Sequence, residues 1–166
     1  MIRSDQRIRL CAVLLALNLV FIWGNSLLPA EISSAFSQWV KGILQMIFPG
    51  SLSGQGGSGL VRKIAHFCEF CSLGLLLTWL FGMLCRKVLL GKGLSLLCGA
   101  AAAGIDETIQ CFVPGRGPSL RDVGIDTLGI ILGIFLLTAG YMICRKNMKY
   151  LEETQLLRRS FGWCWL

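Results

Sequence analysis

Residues 94–113 read LSLLCGAAAAGIDETIQCFV, an apolar run that carries Asp106 and Glu107 close to its end. A run of about 20 apolar residues is long enough to cross the hydrocarbon core of a bilayer as a helix. Ionised carboxylates within such a span are rare, usually face other helices or water, and commonly mark a functional site. The stretch therefore predicts a membrane helix with a candidate site near one end.

Composition places the whole chain in a membrane. Of its 166 residues, 54% are hydrophobic and 15% charged, with a mean hydropathy of +0.66, whereas soluble domains carry about 25% charged residues. Three further apolar runs of spanning length cover residues 10–28, 64–85 and 123–144. Their apolar content is continuous, which favours helices over barrel strands. We predict an all-α membrane protein, a four-transmembrane-helix bundle formed by residues 1–144 and followed by a basic tail, residues 145–166.

Basic residues concentrate on one predicted side of the membrane. Eleven of the 16 Lys and Arg residues lie in the N-terminal segment, the turn between the second and third spans, and the tail. Such an excess marks the cytoplasmic side, so both termini of this multi-pass protein are predicted to be cytoplasmic. The net charge of +7 then reflects topology and contact with anionic membrane lipid. No nucleic-acid partner is expected, because the sequence contains no soluble module with a basic face.

The two loops on the predicted outer side contain local sequence patterns that predict their structure. Residues 31–48 place Ile32, Phe36 and Trp39 among polar residues at helical spacing, which predicts an amphipathic helix in the first outer loop. That helix would lie along the membrane interface or pack on the rim of the bundle. The Gly- and Ser-rich residues 50–59 predict a flexible connector, and the sequence PGRGP at 114–118 predicts a stiffer turn.

The second and third spans carry polar residues at similar depth. Arg62, His66 and Glu69 follow an i, i+4, i+7 stripe near the outer end of the second span, so they share one helix face. In the third span, Gln110 lies four residues after Asp106 and three after Glu107, and is expected to neighbour both acids.

The fourth span adds a further carboxylate to this layer. Asp126 heads a stripe that continues through Gly129 and Gly133, a spacing that usually marks a contact face between membrane helices. If the glycines face the bundle, Asp126 faces it too. We therefore predict one polar layer, contributed by three helices, in the outer leaflet.

Several chemistries fit this layer. A mutually neutralised network would fix the helix arrangement, because unpaired buried charge is costly. His66 and the carboxylates would also suit general acid–base chemistry, and the oxygen-rich set would suit a divalent cation such as Mg²⁺ or Ca²⁺. The guanidinium groups suit an anionic headgroup, since they pair with phosphate in a planar fork. Walker loops and serine nucleophile elbows are absent from the sequence, which gives nucleotide hydrolysis and serine catalysis no support.

Three motifs together resemble the VanZ-like family. They are RKIAHFCEF at 62–70, DETIQCFVPGR at 106–116, and SLRD at 119–122 followed by DTLG at 126–129. The resemblance implies a small bacterial protein of the cytoplasmic membrane with an envelope-related role, since the namesake is associated with resistance to the glycopeptide antibiotic teicoplanin. Two positions depart from the pattern: Phe70 stands where Tyr is frequent, and Asp126 stands where Asn is common. The first removes a hydroxyl and the second adds a possible charge.

The motif positions and the polar layer define the candidate residues. Candidates for catalysis are His66, Glu69, Asp106, Glu107 and Asp126. Candidates for ligand binding are Arg62, Lys63, Gln110, Arg116, Ser119, Arg121 and Asp122.

Three functions remain open on the sequence. The leading hypothesis is an outer-leaflet site that binds an anionic lipid-linked or peptidoglycan-related envelope precursor and performs acid–base chemistry, with a divalent cation as a candidate cofactor. The alternative is a noncatalytic binding protein that affects glycopeptide susceptibility. A small proton-coupled transporter ranks third, because four spans show no inverted repeat; homodimerisation through Gly129 and Gly133 would supply the missing half.

Overall fold

The computed structural model describes residues 4–47, 57–117 and 119–161, and in these ranges every regular element is a helix. The helices are α1 (Ser4–Ser26), α2 (Ala30–Ile47), α3 (Gly57–Leu84), α4 (Val88–Cys111) and α5 (Leu120–Phe161). Four of them contain a span long and apolar enough to cross a membrane: Asp5–Ser26, Gly59–Leu84, Val88–Cys111 and Leu120–Asn147. The predicted all-α bundle of four spans is therefore confirmed.

Helix α3 is central to the bundle and contacts each of the other four helices. Its closest neighbour is α5, because glycines remove side chains from the contact. A Cβ atom added at Gly129 would lie 2.5 Å from the Phe67 carbonyl oxygen, and one added at Gly133 would overlap the Cys71 carbonyl oxygen. The predicted glycine contact face thus packs against α3 of the same chain. A homodimer through Gly129 and Gly133 stays a prediction that would require α3 to move away from them.

The buried core is small and the outer surface is apolar. The core cluster contains Ile22, Phe70, Leu73, Leu77, Ala102, Ala103 and Ile130. Outside it, large side chains such as Leu17, Leu97 and Phe135 expose 61%, 67% and 64% of their surface. Apolar exposure on this scale would cause aggregation in water, but it suits helices solvated by lipid.

Helix α2 agrees with its predicted bounds to within one residue at each end. It contacts α3 and buries Ser37, whose hydroxyl donates a hydrogen bond to the Ser33 carbonyl at 2.9 Å. Phe36 and Trp39 are each 64% exposed, with ring centroids 6.0 Å apart. The helix is amphipathic as predicted: one face packs on the bundle, and Phe36 and Trp39 are exposed on the other. Its contact with the membrane interface stays a prediction.

Two predicted segments differ from the structure. Most of the basic tail predicted at 145–166 continues α5, which extends to Phe161, because residues 145–161 contain neither Gly nor Pro to end the helix. Helix α3 begins at Gly57, inside the connector predicted at 50–59. The rest of that connector and residues 162–166 lie outside the described residues.

Candidate functional site

A polar pocket lies at the end of the bundle where α1 and α4 end and α3 and α5 begin. Its volume is about 210 Å³. Predicted site residues from three helices and the α4–α5 turn line it: Arg62, Lys63, His66, Glu107, Gln110, Arg116, Asp122 and Asp126. The juxtaposition of the three predicted helix faces is thus present in the fold, while the roles of these residues remain predictions.

Helix α4 contributes the innermost carboxylate. Asp106 is completely buried, and its Oδ2 accepts a hydrogen bond from Gln110 Nε2 at 2.8 Å, one helical turn away. Its other oxygen, Oδ1, is buried without a hydrogen-bond partner. Gln110 is itself held by Arg62, whose Nη2 donates to Gln110 Oε1 at 3.4 Å. Asp106 therefore lies behind the pocket wall with one oxygen fixed and the other unpaired.

Glu107 has a different partner from the one expected. The spacing predicts that Gln110 neighbours both acids, but the hydrogen bond of Gln110 goes to Asp106. Glu107 Oε2 instead accepts a hydrogen bond from the Ser119 backbone N–H at 2.8 Å. The Ser119 carbonyl accepts the first hydrogen bonds of α5, so the carboxylate stands at a helix N-terminus, where negative charge is favoured. Glu107 thereby ties the end of α4 to the start of α5.

The turn between α4 and α5 presents Arg116. Gly115 adopts φ +77°, a left-handed conformation that glycine tolerates best. Arg116 Nη2 then donates to the Asn25 carbonyl oxygen at 3.2 Å, while its Nε and Nη1 are buried without partners. Burial, together with the nearby Arg62 charge, lowers the pKa of the Arg116 guanidinium. An arginine remains charged after such a shift, so Arg116 offers two unused donors to the pocket.

Helix α3 supplies both bases and acids to the site. Lys63 Nζ lies 3.4 Å from Asp122 Oδ1 at the partly exposed rim. Deeper along the same face, His66 Nδ1 lies 3.6 Å from Glu69 Oε2. The other oxygen of Glu69, Oε1, accepts a hydrogen bond from Asn25 Nδ2 at 2.7 Å. Glu69 thus faces His66 from behind the pocket and is itself oriented by α1.

Three of the predicted side chains form a compact donor set. One ligand atom each from His66, Asp106 and Asp126 can be chosen so that all lie within 4.8 Å of one another. Asp126 is 2% exposed and Asp106 fully buried. Imidazole nitrogen and carboxylate oxygen both bind divalent transition metals. This set, on three different helices, is the part of the site with donor chemistry suited to a cation.

The remaining predicted residues lie around the pocket without lining it. Glu69 and Asp106 are behind its wall, Ser119 contributes its backbone N–H to Glu107, and Arg121 is exposed beside it. Sequence reasoning missed α1, where Asn25 contacts Glu69 and the Ser26 hydroxyl lies 3.4 Å from Gln110 Nε2. In the sequence, the one feature that could have indicated these two residues is that they form an adjacent polar pair at the end of the first apolar run.

Comparison with known proteins identifies one family. A family model described as VanZ/LLP1 matches residues 8–144, a range that contains all four spans except three residues at the start of the first and three at the end of the fourth. No curated protein and no solved structure matches the chain. The match covers the pocket and all the side chains that form it.

Proposed function

The chain belongs to the VanZ/LLP1 family, and we propose that its polar pocket binds the phosphate headgroup of an anionic envelope lipid in the outer leaflet. The observation that carries the proposal is Arg116, whose Nε and Nη1 are buried without partners in a wall shared with Arg62 and Lys63. Guanidinium groups pair with phosphate through two parallel hydrogen bonds. Two unpaired guanidinium donors in the wall of a small pocket therefore favour an oxyanion as their partner.

The depth of the pocket favours a lipid over a soluble anion. Arg62 lies three residues inside the α3 span, and Glu107 lies four residues before the α4 span ends, which places both about 4–6 Å from the ends of their spans. That depth corresponds to the headgroup region at the edge of the hydrocarbon core. The distribution of basic residues supports an outer-leaflet position, since it assigns both chain termini to the cytoplasm.

Acid–base chemistry on the bound headgroup is the further step that the lining supports. His66, Glu107 and Asp126 border the same cavity as Arg62 and Arg116, so a proton donor and acceptor would stand beside the phosphate. A binding protein without turnover, acting by changing the access of glycopeptide antibiotics to envelope precursors, is the second candidate. This second candidate is favoured because Glu107 already accepts a hydrogen bond from the Ser119 backbone N–H. A carboxylate with such a structural role is less available for proton transfer.

The binding proposal is tested with the purified full chain in lipid nanodiscs. The probes are a polyprenyl phosphate and the matching uncharged polyprenol, measured by native mass spectrometry. We expect Arg116→Ala to weaken binding of the phosphate lipid by about 10-fold or more, the loss of one charge-assisted pair. Arg121→Ala is the matched control, because Arg121 is an exposed base outside the pocket. Equal losses for both variants, or equal binding of both lipids, would contradict the proposal.

Turnover separates the two candidates. Wild-type protein is incubated with the polyprenyl phosphate, and the lipid is followed by mass spectrometry. A new lipid species that requires His66 and Glu107 identifies an enzyme. Stable binding with an unchanged lipid identifies a binding protein.

A further inference from the structure

Two buried carboxylates in the site have no basic partner. Asp106 is 0% and Asp126 2% exposed, and they lie on α4 and α5 with ligand atoms within 4.8 Å of each other. Among the described residues, Lys63 forms an ion pair with Asp122, and the only other close contact of this type in the site is between His66 Nδ1 and Glu69 Oε2. Neither Asp106 nor Asp126 is therefore within ion-pair distance of a described Lys or Arg. Buried charges are usually paired or coordinate a metal. A bound metal ion would supply the positive charge that this pair lacks.

A second observation points to a ligand at the same place. Asp106 Oδ2 is fixed by Gln110 at 2.8 Å, and this leaves Oδ1 buried with no partner. A fully buried carboxylate oxygen without a hydrogen bond is costly, because its desolvation is uncompensated. Asp106 belongs to the donor set that His66 and Asp126 complete, so an ion bound there would compensate its uncompensated charge.

We infer that His66, Asp106 and Asp126 bind one divalent transition-metal ion, of which Zn²⁺ fits the donor set best. An imidazole nitrogen combined with two carboxylate oxygens suits zinc better than Mg²⁺ or Ca²⁺, which prefer oxygen ligands alone. Zinc ligands in a tetrahedral site lie about 3.3 Å apart, so rotations of the carboxylates would close the set around the ion. Three protein ligands leave a fourth position open, as in catalytic zinc sites.

His66 has a carboxylate near one ring nitrogen, as metal-binding histidines do, although the two atoms do not form a hydrogen bond. Its Nδ1 lies 3.6 Å from Glu69 Oε2, and the opposite oxygen of Glu69 is held by Asn25 at 2.7 Å. A carboxylate beside one imidazole nitrogen orients the ring so that the other nitrogen meets the metal. Glu69 would then act as a positioning residue beside Nδ1 and leave His66 Nε2 for the metal.

The open coordination position would face the pocket, since His66 and Asp126 line it together with Arg116. The ion and the guanidinium groups would then bind one phosphate from two sides. This role rests on the proposed function, but zinc binding itself does not require the lipid. The two ideas fail separately: Arg116→Ala is expected to lose the phosphate lipid and keep zinc.

The test is a zinc titration of the purified full chain after treatment with a chelator, followed by calorimetry and by metal analysis. We expect one zinc ion per chain, and affinities at least about 100-fold weaker in His66→Ala, Asp106→Asn and Asp126→Asn. Glu69→Gln is expected to weaken zinc binding by about 10- to 100-fold, the range for residues that orient a ligand. Glu31→Gln, an exposed acid on α2, is the control and should bind zinc as the wild type does.

Thermal unfolding distinguishes a metal site from a structural acid pair. If the inference holds, Asp126→Asn leaves the unfolding midpoint of the metal-free protein unchanged or raises it, because a buried charge has been removed. The same variant no longer shows the increase in midpoint that zinc produces in the wild type. A wild-type protein that neither binds zinc nor is stabilised by it would overturn the inference, in favour of a proton shared by the two carboxylates. Undiminished zinc binding by Asp106→Asn and Asp126→Asn would also overturn it.

Discussion

Gln110 and Asp106 form a hydrogen bond of 2.8 Å between Nε2 and Oδ2 across one turn of α4, and this bond fixes the deepest acid of the site. Gln110 also accepts from Arg62 at 3.4 Å. One amide therefore connects the buried carboxylate of Asp106 to the Arg62 guanidinium in the pocket wall, so its replacement affects both.

Gln110→Leu is expected to destabilise the protein by about 1–3 kcal/mol or more, because both oxygens of Asp106 would then be buried without a partner. The measurement is the unfolding midpoint of the purified protein in detergent. Thr108→Val is the matched control on the same helix, since Thr108 is exposed and bonds only to the Gly104 carbonyl of its own helix. A Gln110→Leu variant as stable as Thr108→Val would show that the amide is dispensable.

Close packing of α5 on α3 predicts a strong contrast between two glycines. Gly129→Leu should prevent the native contact, because even a Cβ atom would lie 2.5 Å from the Phe67 carbonyl oxygen, and losses of several kcal/mol follow from overpacking of this kind. Gly140→Ala on the same helix has open space around it and should be neutral or stabilising by up to about 1 kcal/mol. Folded yield and the unfolding midpoint give the comparison, and similar behaviour of the two variants would refute the packing described for α3 and α5.

The ion pair between Lys63 and Asp122 is expected to contribute little to stability. The two atoms are 3.4 Å apart, but the side chains are 44% and 35% exposed, and pairs of this kind are worth about 0.2–1 kcal/mol. A double-mutant cycle with Lys63→Ala and Asp122→Ala measures the coupling directly. A coupling above about 2 kcal/mol would place this pair in a far less hydrated environment than the structure gives it.

Membrane orientation is predicted from the basic residues and is tested by labelling. In a background with the native cysteines replaced, Ser34→Cys on α2 should react with a membrane-impermeant maleimide added to intact cells. Arg86→Cys, in the turn between α3 and α4, should react only after permeabilisation. Both positions are exposed in the structure, so access depends on the side of the membrane, and the reverse pattern would invert the predicted topology.

The four spans and the three helix faces that line the pocket could be predicted from the sequence, because both depend on the spacing of apolar and polar residues. Arg62 and His66 are one turn apart, as are Asp106 and Gln110, and a regular helix presents such residues on one side. The glycines at 129 and 133 likewise identified the face of α5 that approaches α3.

Contacts that depend on tertiary packing could not be predicted from the sequence. Asn25 and Ser26 are uncharged and end an apolar run, where polar residues are common, so their contacts with Glu69 and Gln110 left no periodic signal. The exchange of partners at Glu107 has a similar origin, since the Ser119 N–H is brought to it by the α4–α5 turn. Helix α5 is longer than its predicted span because the helix continues beyond the end of the apolar run, as far as Phe161.

The central proposal is that a lipid phosphate contacts the Arg116 guanidinium, and the most direct measurement is the magnetic coupling between the two groups. Protein labelled with ¹³C and ¹⁵N at arginine is reconstituted with a polyprenyl phosphate, and solid-state NMR detects guanidinium signals that are dephased by ³¹P. The proposal predicts dephased signals that disappear in Arg116→Lys and persist in Arg121→Lys. Dephasing that is unchanged by Arg116→Lys, or absent from the wild type, would contradict it.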